Sequence, residues 1–237
     1  KTQAVKITEL VNDTENKIEV LKKGYQVVLN IGVAFGVMSA MPSQLLSGFY
    51  RRFPNIALHI TEYPDIFCEQ AVLDEKENIG FSIAPIDSTK FETDTVIQDK
   101  MCILVNKENS LYHKQSVKFS DLQNQPILIL NNNFKLRRIF NENCSKIGFK
   151  PHIVLETMEL ILIHNFCIHN KGIGVGVDFI ARDMENVKPI NFDPECLWKV
   201  NMIRKKGKTL TQAEEQFIKY IQSFECYYPA KDLKINC

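Results

Sequence analysis

Apolar positions along the chain change rhythm several times, and each change marks an element. Over residues 27–33 they are nearly continuous and β-branched (Val27, Val28, Leu29, Ile31, Val33), as in a strand buried on both faces. Small Ala34 and Gly36 follow. Met38, Met41, Leu45, Phe49 and Phe53 then recur at helical spacing up to Pro54, with Arg51 and Arg52 placed to complement the dipole of the last turn. Residues 56–60 alternate as a second strand, Pro64 and Asp65 start a helix to about Leu73, and residues 79–83 form a third strand. Strand, helix, strand, helix, strand predicts a parallel wound sheet. Ligands of such sheets meet the loops at the carboxyl ends of the strands.

Past a polar turn at Asp87, Ser88, Thr89 and Lys90 the alternation resumes. Strands are predicted at 101–105, 127–130, 153–155 and 198–203. Ser120 to Gln123 reads as a capping box opening a short helix. Asn131, Asn132 and Asn133 break the 127–130 strand. A helix over 134–147 follows, with Phe134, Leu136, Ile139 and Phe140 facing inward. Another helix spans 160–169, and the Gly172, Gly174, Gly176 run turns into a strand. Thr211 and Glu214 box the start of a last helix, 211–224, whose buried stripe is Phe217, Ile218, Ile221 and Phe224. Ahead of all this, Ala4, Ile7, Val11, Thr14, Ile18, Leu21 and Tyr25 recur at spacings of three and four. That seam suits a helix paired with a partner helix, or one packed on its own domain; the heptad rhythm favours the partner.

Composition narrows the function classes. Apolar residues make 45% and charged ones 24%, a globular mix, and the net charge of +1 leaves no electrostatic footprint for nucleic acid on this chain. Seven cysteines, an odd number with no CxxC pair, point to structural thiols in a reducing, cytoplasmic setting. No apolar run approaches the ~20 residues of a membrane span. The chain opens at Lys1 without methionine or signal peptide, so a longer protein is expected upstream.

The chemistry of bond-making is not in evidence. No HExxH, GxSxG or Walker A pattern occurs, and none of the five histidines is spaced against a nucleophile. The glycine run at 172–176 lacks the dinucleotide spacing and follows a helix. His164 and Cys167 share a helix face but His169 points away, so a metal site is not expected there. Neither an enzyme, nor a cofactor, nor a metal is predicted.

What remains is a binding cleft. The strand-end loops are Ala34, Phe35, Gly36 and Val37; Tyr63 and Asp65; Ile83; Asn131, Asn132, Asn133 and Phe134; and Thr157 and Met158.

The run NIGVAFGVMSAMPSQLLSGFYRRFPNIALHITE resembles the opening of the effector-binding domain of LysR-type transcriptional regulators, in its I-G pair, its helix ending in R-x-F-P and its strand ending in Glu. The resemblance continues in KIGFKPHIVLE, NKGIGVGVDF and MIRKKGKTLTQAEEQFIKYI, covering nearly the whole chain. It implies an α/β, two-lobed type 2 periplasmic-binding-protein-like fold, each lobe a mostly parallel sheet flanked by helices. Residues 1–25 would form the linker and dimerisation helix, through Ile7, Val11, Ile18 and Leu21. Lobe I would take 26–86 plus 194–228, lobe II 90–190, and 229–237 a tail, with crossings near Ser88 and Pro189.

The implied function is to bind a small metabolite between the lobes and so modulate transcription. The implied partners are further copies of the chain, as a homodimer or homotetramer, and DNA through a domain absent from this chain; no membrane is involved. The alternative is a solute-binding protein of a transporter, which the heptad seam and unpaired cysteines disfavour. The resemblance selects the same strand-end loops, from Ala34 to Met158, as the effector site. There Gly36 and Asp65 replace frequent hydroxyls, and Ile83 stands where some members place a cation. Asp65 and Glu62 fit a neutral or cationic effector, and equally a helix cap and a surface charge.

Overall fold

The structure, a computed structural model, describes residues 27–181, 184 and 186–224. The predicted linker helix, with Ile7, Val11, Ile18 and Leu21, and the tail at 229–237 lie outside the described residues.

The first apolar run forms β1 (Val27–Ala34), followed by α1 (Val37–Ala40), α2 (Ser43–Arg52), β2 (Ile56–Tyr63), α3 (Asp65–Leu73) and β3 (Ile79–Ile83). β2 and β3 both pair parallel with β1, so the apolar run lies between two strands, and it is buried from Ile31 to Ala34. One expected helix is two. Met41 is extended (φ −89°, ψ 138°) because it precedes Pro42, whose ring disfavours the helical region for its neighbour. The chain turns there and starts α2 afresh.

A long strand, β4 (Phe91–Asn106), then runs through the whole molecule. Its first part pairs antiparallel with β10 (Leu197–Lys205), which also lies antiparallel to β3, giving the order β2-β1-β3-β10-β4. From Met101 onward it joins a second sheet. That sheet contains β5 (Ser116–Val117), β6 (Pro126–Leu130), β7 (His152–Thr157), β8 (Ile173–Val177) and β9 (Val187–Phe192), in the order β5-β9-β4-β8-β6-β7. Helices α4 (Lys135–Lys146) and α5 (Leu160–Ile168) connect its parallel strands. The two halves repeat one plan, β-α-β-α-β with spatial order 2-1-3 in one and 7-6-8 in the other, each bordered by an antiparallel strand.

The chain passes from one sheet to the other in mid-strand, at Lys100 and Met101, rather than at the polar turn near Ser88. It returns between Phe192 and Leu197; Pro189 lies inside β9, opposite Leu104. The early part of β4 is missing from the apolar pattern because Glu92 and Thr93 are exposed on a sheet-edge strand, which needs no continuous apolar run. The short helix read from Ser120 is a 3-10 turn, Phe119–Leu122. Its cap is Asp121, whose Oδ2 accepts from the Lys118 N–H at 2.9 Å, so the turn starts before Ser120.

α6 (Gln212–Ser223) returns to pack on the first sheet. Phe49 of α2 is fully buried with its ring centroid 5.1 Å from Phe217 and 5.4 Å from Tyr220, both edge-on. In the second sheet β8 is wholly buried, and a Cβ on Gly174 would sit 2.7 Å from Cys167 Sγ of α5, so only glycine allows that helix so close.

The capping box of α6 forms as its sequence implies. Thr211 Oγ1 accepts from the Glu214 N–H at 3.3 Å, and Glu214 Oε2 accepts from the Thr211 N–H at 2.6 Å. Burial pushes the Glu214 carboxyl up, but the Thr211 N–H, Lys208 and the Thr211 side chain outweigh it and hold it below the usual range. Thr211→Ala removes the cap and is expected to lower stability by about 1 kcal/mol. Urea denaturation checks this, and an unchanged midpoint would show that the cap contributes nothing.

Candidate functional site

The carboxyl ends of β1, β3, β6 and β8 converge where the two sheets face each other, and a cavity of about 30 Å³ lies there. From the first sheet it is lined by Phe35, Gly36, Asp65, Ile83 and Trp198; from the second by Leu130, Phe134, Leu136, Leu160, Gly176, Val177, Phe179 and Ile180. It is a switch-point gap of the kind in which α/β sheets hold ligands. Gly36 makes the turn into α1 at φ +83°, where a side chain would be strained and its Cβ would stand 3.3 Å from Leu160 across the gap. Two aromatic pairs bridge the halves: Phe35 with Phe134 at 6.3 Å, and Phe179 with Trp198 at 5.7 Å. The walls are thus apolar, and the gap is nearly closed.

The polar chemistry is concentrated on two residues, one from each half. Asp65 opens α3 and is 2% exposed. Its Oδ2 accepts from the backbone N–H of Lys135, the first residue of α4, at 2.7 Å. No side chain of its own segment caps α4, so a carboxylate from the opposite half satisfies one of the N–H groups left over at that helix start. Lys135 reaches the other way. Its Nζ donates to the carbonyl oxygens of Ile83 at 2.7 Å and Pro85 at 2.6 Å, and to Glu69 Oε1, all on the first half. Glu69 Oε1 also accepts from Ser82 Oγ at 2.8 Å. An ammonium has three donors, and these contacts use all of them.

Burial pushes the Asp65 carboxyl up from its usual 3.8 to about 6, against the Lys135 N–H and ammonium, which pull it down. An acid with a higher pKa folded than unfolded holds its proton longer in the folded state. Its contribution to stability is therefore full below about pH 4 and is lost as pH rises through about 6, a change of about 3 kcal/mol. Asp65→Asn keeps an acceptor for the Lys135 N–H and removes the titration. Compared with the native chain in urea between pH 4 and 7, it is expected to lose that downward slope; an identical slope would show that Asp65 titrates normally.

Of the strand-end residues chosen from sequence, Phe35, Gly36, Asp65, Ile83 and Phe134 line the cavity. The others serve the frame around it. Ala34 and Val37 are buried in the core of the first half. Tyr63 turns away from the gap and donates from Oη to Glu77 Oε1 at 2.7 Å; burial and then that bond raise its pKa. The Asn131 carboxamide oxygen accepts from the Asn133 N–H at 3.0 Å, Asn132 and Asn133 are exposed, and Thr157 Oγ1 accepts from the Glu159 N–H at 3.0 Å. Met158 is 42% exposed. Lys135 and Trp198 were missed, since a helix-start lysine and a strand tryptophan read as surface and core. The thiols of Cys68, Cys102, Cys144, Cys167 and Cys196 are all pushed up by burial, as befits core residues.

Two repeated α/β halves closing on a gap at their strand ends define a two-lobed binding fold, the type 2 periplasmic-binding-protein class. The LysR substrate binding domain matches residues 22–225, and the chain belongs to that family. It is 27% identical over 222 residues to the uncharacterized HTH-type transcriptional regulator YwbI of Bacillus subtilis, covering 92% of this chain and 72% of that protein. It is 24% identical over 161 residues to the HTH-type transcriptional regulator AlsR of Bacillus subtilis, covering 67% of this chain and 52% of that one. In fold it is similar to the effector-binding domain of QuiR in complex with shikimate (TM-score 0.74, 13% identity, 82% of this chain and 94% of the other). It is also similar to the CcmR regulatory domain of Synechocystis PCC6803 in complex with 2-PG (TM-score 0.75, 13% identity, 83% and 96%).

Proposed function

We propose that this chain is the effector-sensing and oligomerisation part of a transcriptional regulator, with the small-molecule site in the gap between its lobes. The observation that carries this reading is that residues from both lobes line one cavity at the strand ends. A ligand there touches both halves and so favours one relative position over another. Its effect on the lobes equals its differential affinity for the two arrangements. The relatives named as HTH-type regulators, and the neighbours in complex with shikimate and 2-PG, support a small-molecule-sensing role for a domain of this fold. We assign lobe I to about 27–100 with 197–224 and lobe II to about 101–192, with the mid-strand passage at Lys100 and Met101 and the 193–196 segment as connections. The protein binds its effector without transforming it, works in the cytoplasm, and reaches DNA through a domain outside this chain.

A panel of metabolites screened by thermal shift tests the reading. A true effector at 100 times its Kd stabilises by about 2.7 kcal/mol. A panel that leaves the melting curve unmoved while the full-length protein still responds to effector on DNA would refute it.

The regulator is a homo-oligomer; the seam of Ile7, Val11, Ile18 and Leu21 through which pairing is expected lies outside the described residues. Val154, Met158 and Ile161, 47%, 42% and 63% exposed on β7, the next turn and α5, support a second contact between copies. Light scattering is expected to give at least twice the 27.3 kDa of one chain; a monomer would remove oligomerisation from the account.

A further inference from the structure

The lobes are joined by a carboxylate that belongs to the protein, and this sets the chemistry of what the gap accepts. The start of α4 is the place where an anionic ligand entering the gap finds unpaired N–H groups and the positive end of a helix dipole. Here Asp65 Oδ2 already occupies it, 2.7 Å from the Lys135 N–H. The cation beside it, Lys135, has its donors committed to Glu69 and the carbonyls of Ile83 and Pro85. Asp65 also begins its own helix, α3, so two helix starts offset its one charge. The remaining walls present aromatic and aliphatic carbon, Phe35, Leu160 and Trp198 among them. A carboxylate or phosphate would have to displace Asp65 and meet its charge at close range. A cation would find the carboxylate already balanced.

We infer that Asp65 is a built-in ligand of the α4 start, and that it makes this gap a site for a small uncharged, mainly apolar molecule and excludes anionic effectors. The inference rests on the gap being the effector site.

The test uses three probes of one shape, benzyl alcohol, benzylamine and benzoate, titrated against the whole chain. Trp198 is its only tryptophan and lines the cavity, so its emission reads the site directly. The native protein is expected to bind benzyl alcohol at least tenfold more tightly than benzoate or benzylamine. Asp65→Ser vacates the α4 start and is expected to gain at least tenfold in benzoate affinity, with benzyl alcohol changed less than threefold. Asp65→Asn keeps an oxygen in place and gains little for benzoate; thermal melts establish that both variants are folded.

Equal binding of benzoate to native protein and Asp65→Ser overturns the inference. So does an equal benzoate gain in Asp65→Asn, which assigns the exclusion to charge without occupancy, and so does preferred binding of benzylamine. Silence toward all three probes in every form overturns it as well, while the metabolite screen separately decides whether the gap senses an effector.

Discussion

Replacing Lys135 with methionine is expected to lower stability by about 3–5 kcal/mol, the cost of stripping one partner from a largely buried ion pair. The side chains of Lys135 and Glu69 are only 10% and 17% exposed. Without the ammonium, Glu69 keeps the Ser82 hydroxyl but no cation, and the Ile83 carbonyl loses a donor. The methionine stem fills similar space, so the loss reports the polar contacts more than the packing. Because all three Nζ partners sit on the opposite lobe, the variant also loosens lobe from lobe. Urea denaturation of Lys135→Met measures the first effect. A loss below 1 kcal/mol would mean that the lysine is solvated in solution and does not join the halves.

Phe49→Ala is the second large effect, again about 3–5 kcal/mol, at a residue that does not line the gap. Phe49 is fully buried and meets Phe53, Phe217 and Tyr220 at centroid distances of 5.0, 5.1 and 5.4 Å. Those rings come from α2 and α6, elements separated by most of the chain, so the cavity left by truncation has walls that cannot easily collapse. The thermal midpoint is expected to fall steeply, while probe binding in the gap, measured where the variant is folded, stays within a factor of a few. A parallel loss of binding would show that the lobe I core and the gap are coupled.

These two positions show what a sequence reveals and what it hides. Phe49 was legible because its spacing from Leu45 and Phe53 places it on one face of a helix, and burial of such a face is a local rule. The same holds for Phe217, Ile218 and Ile221 on α6. Pro42 is local too, yet helical periodicity ran across it, and the steric veto of proline on Met41 decided the break. Residues 91–100 are strand because β10 lies beside them, a contact made by chain more than 90 residues later; no pattern inside the segment announces that neighbour.

The site was half legible for the same reason. Loop residues at strand ends follow from topology, so Phe35, Gly36, Asp65, Ile83 and Phe134 could be named. Which of them point into the gap depends on the opposite lobe. Tyr63 swings back to Glu77, and the asparagines 131–133 shape their own turn. Lys135 gains its meaning only when Asp65, 70 residues earlier, meets its N–H. A pairing over that distance, between lobes, has no periodic signature.

A small molecule held between both lobes shields both from solvent exchange. Hydrogen exchange read by mass spectrometry, with and without an effector found by the metabolite screen, measures this. Slower exchange is expected at once in the 83–87 segment of one lobe and the 130–137 segment of the other. Slowing confined to a single lobe, or to a surface away from these strand ends, would contradict it.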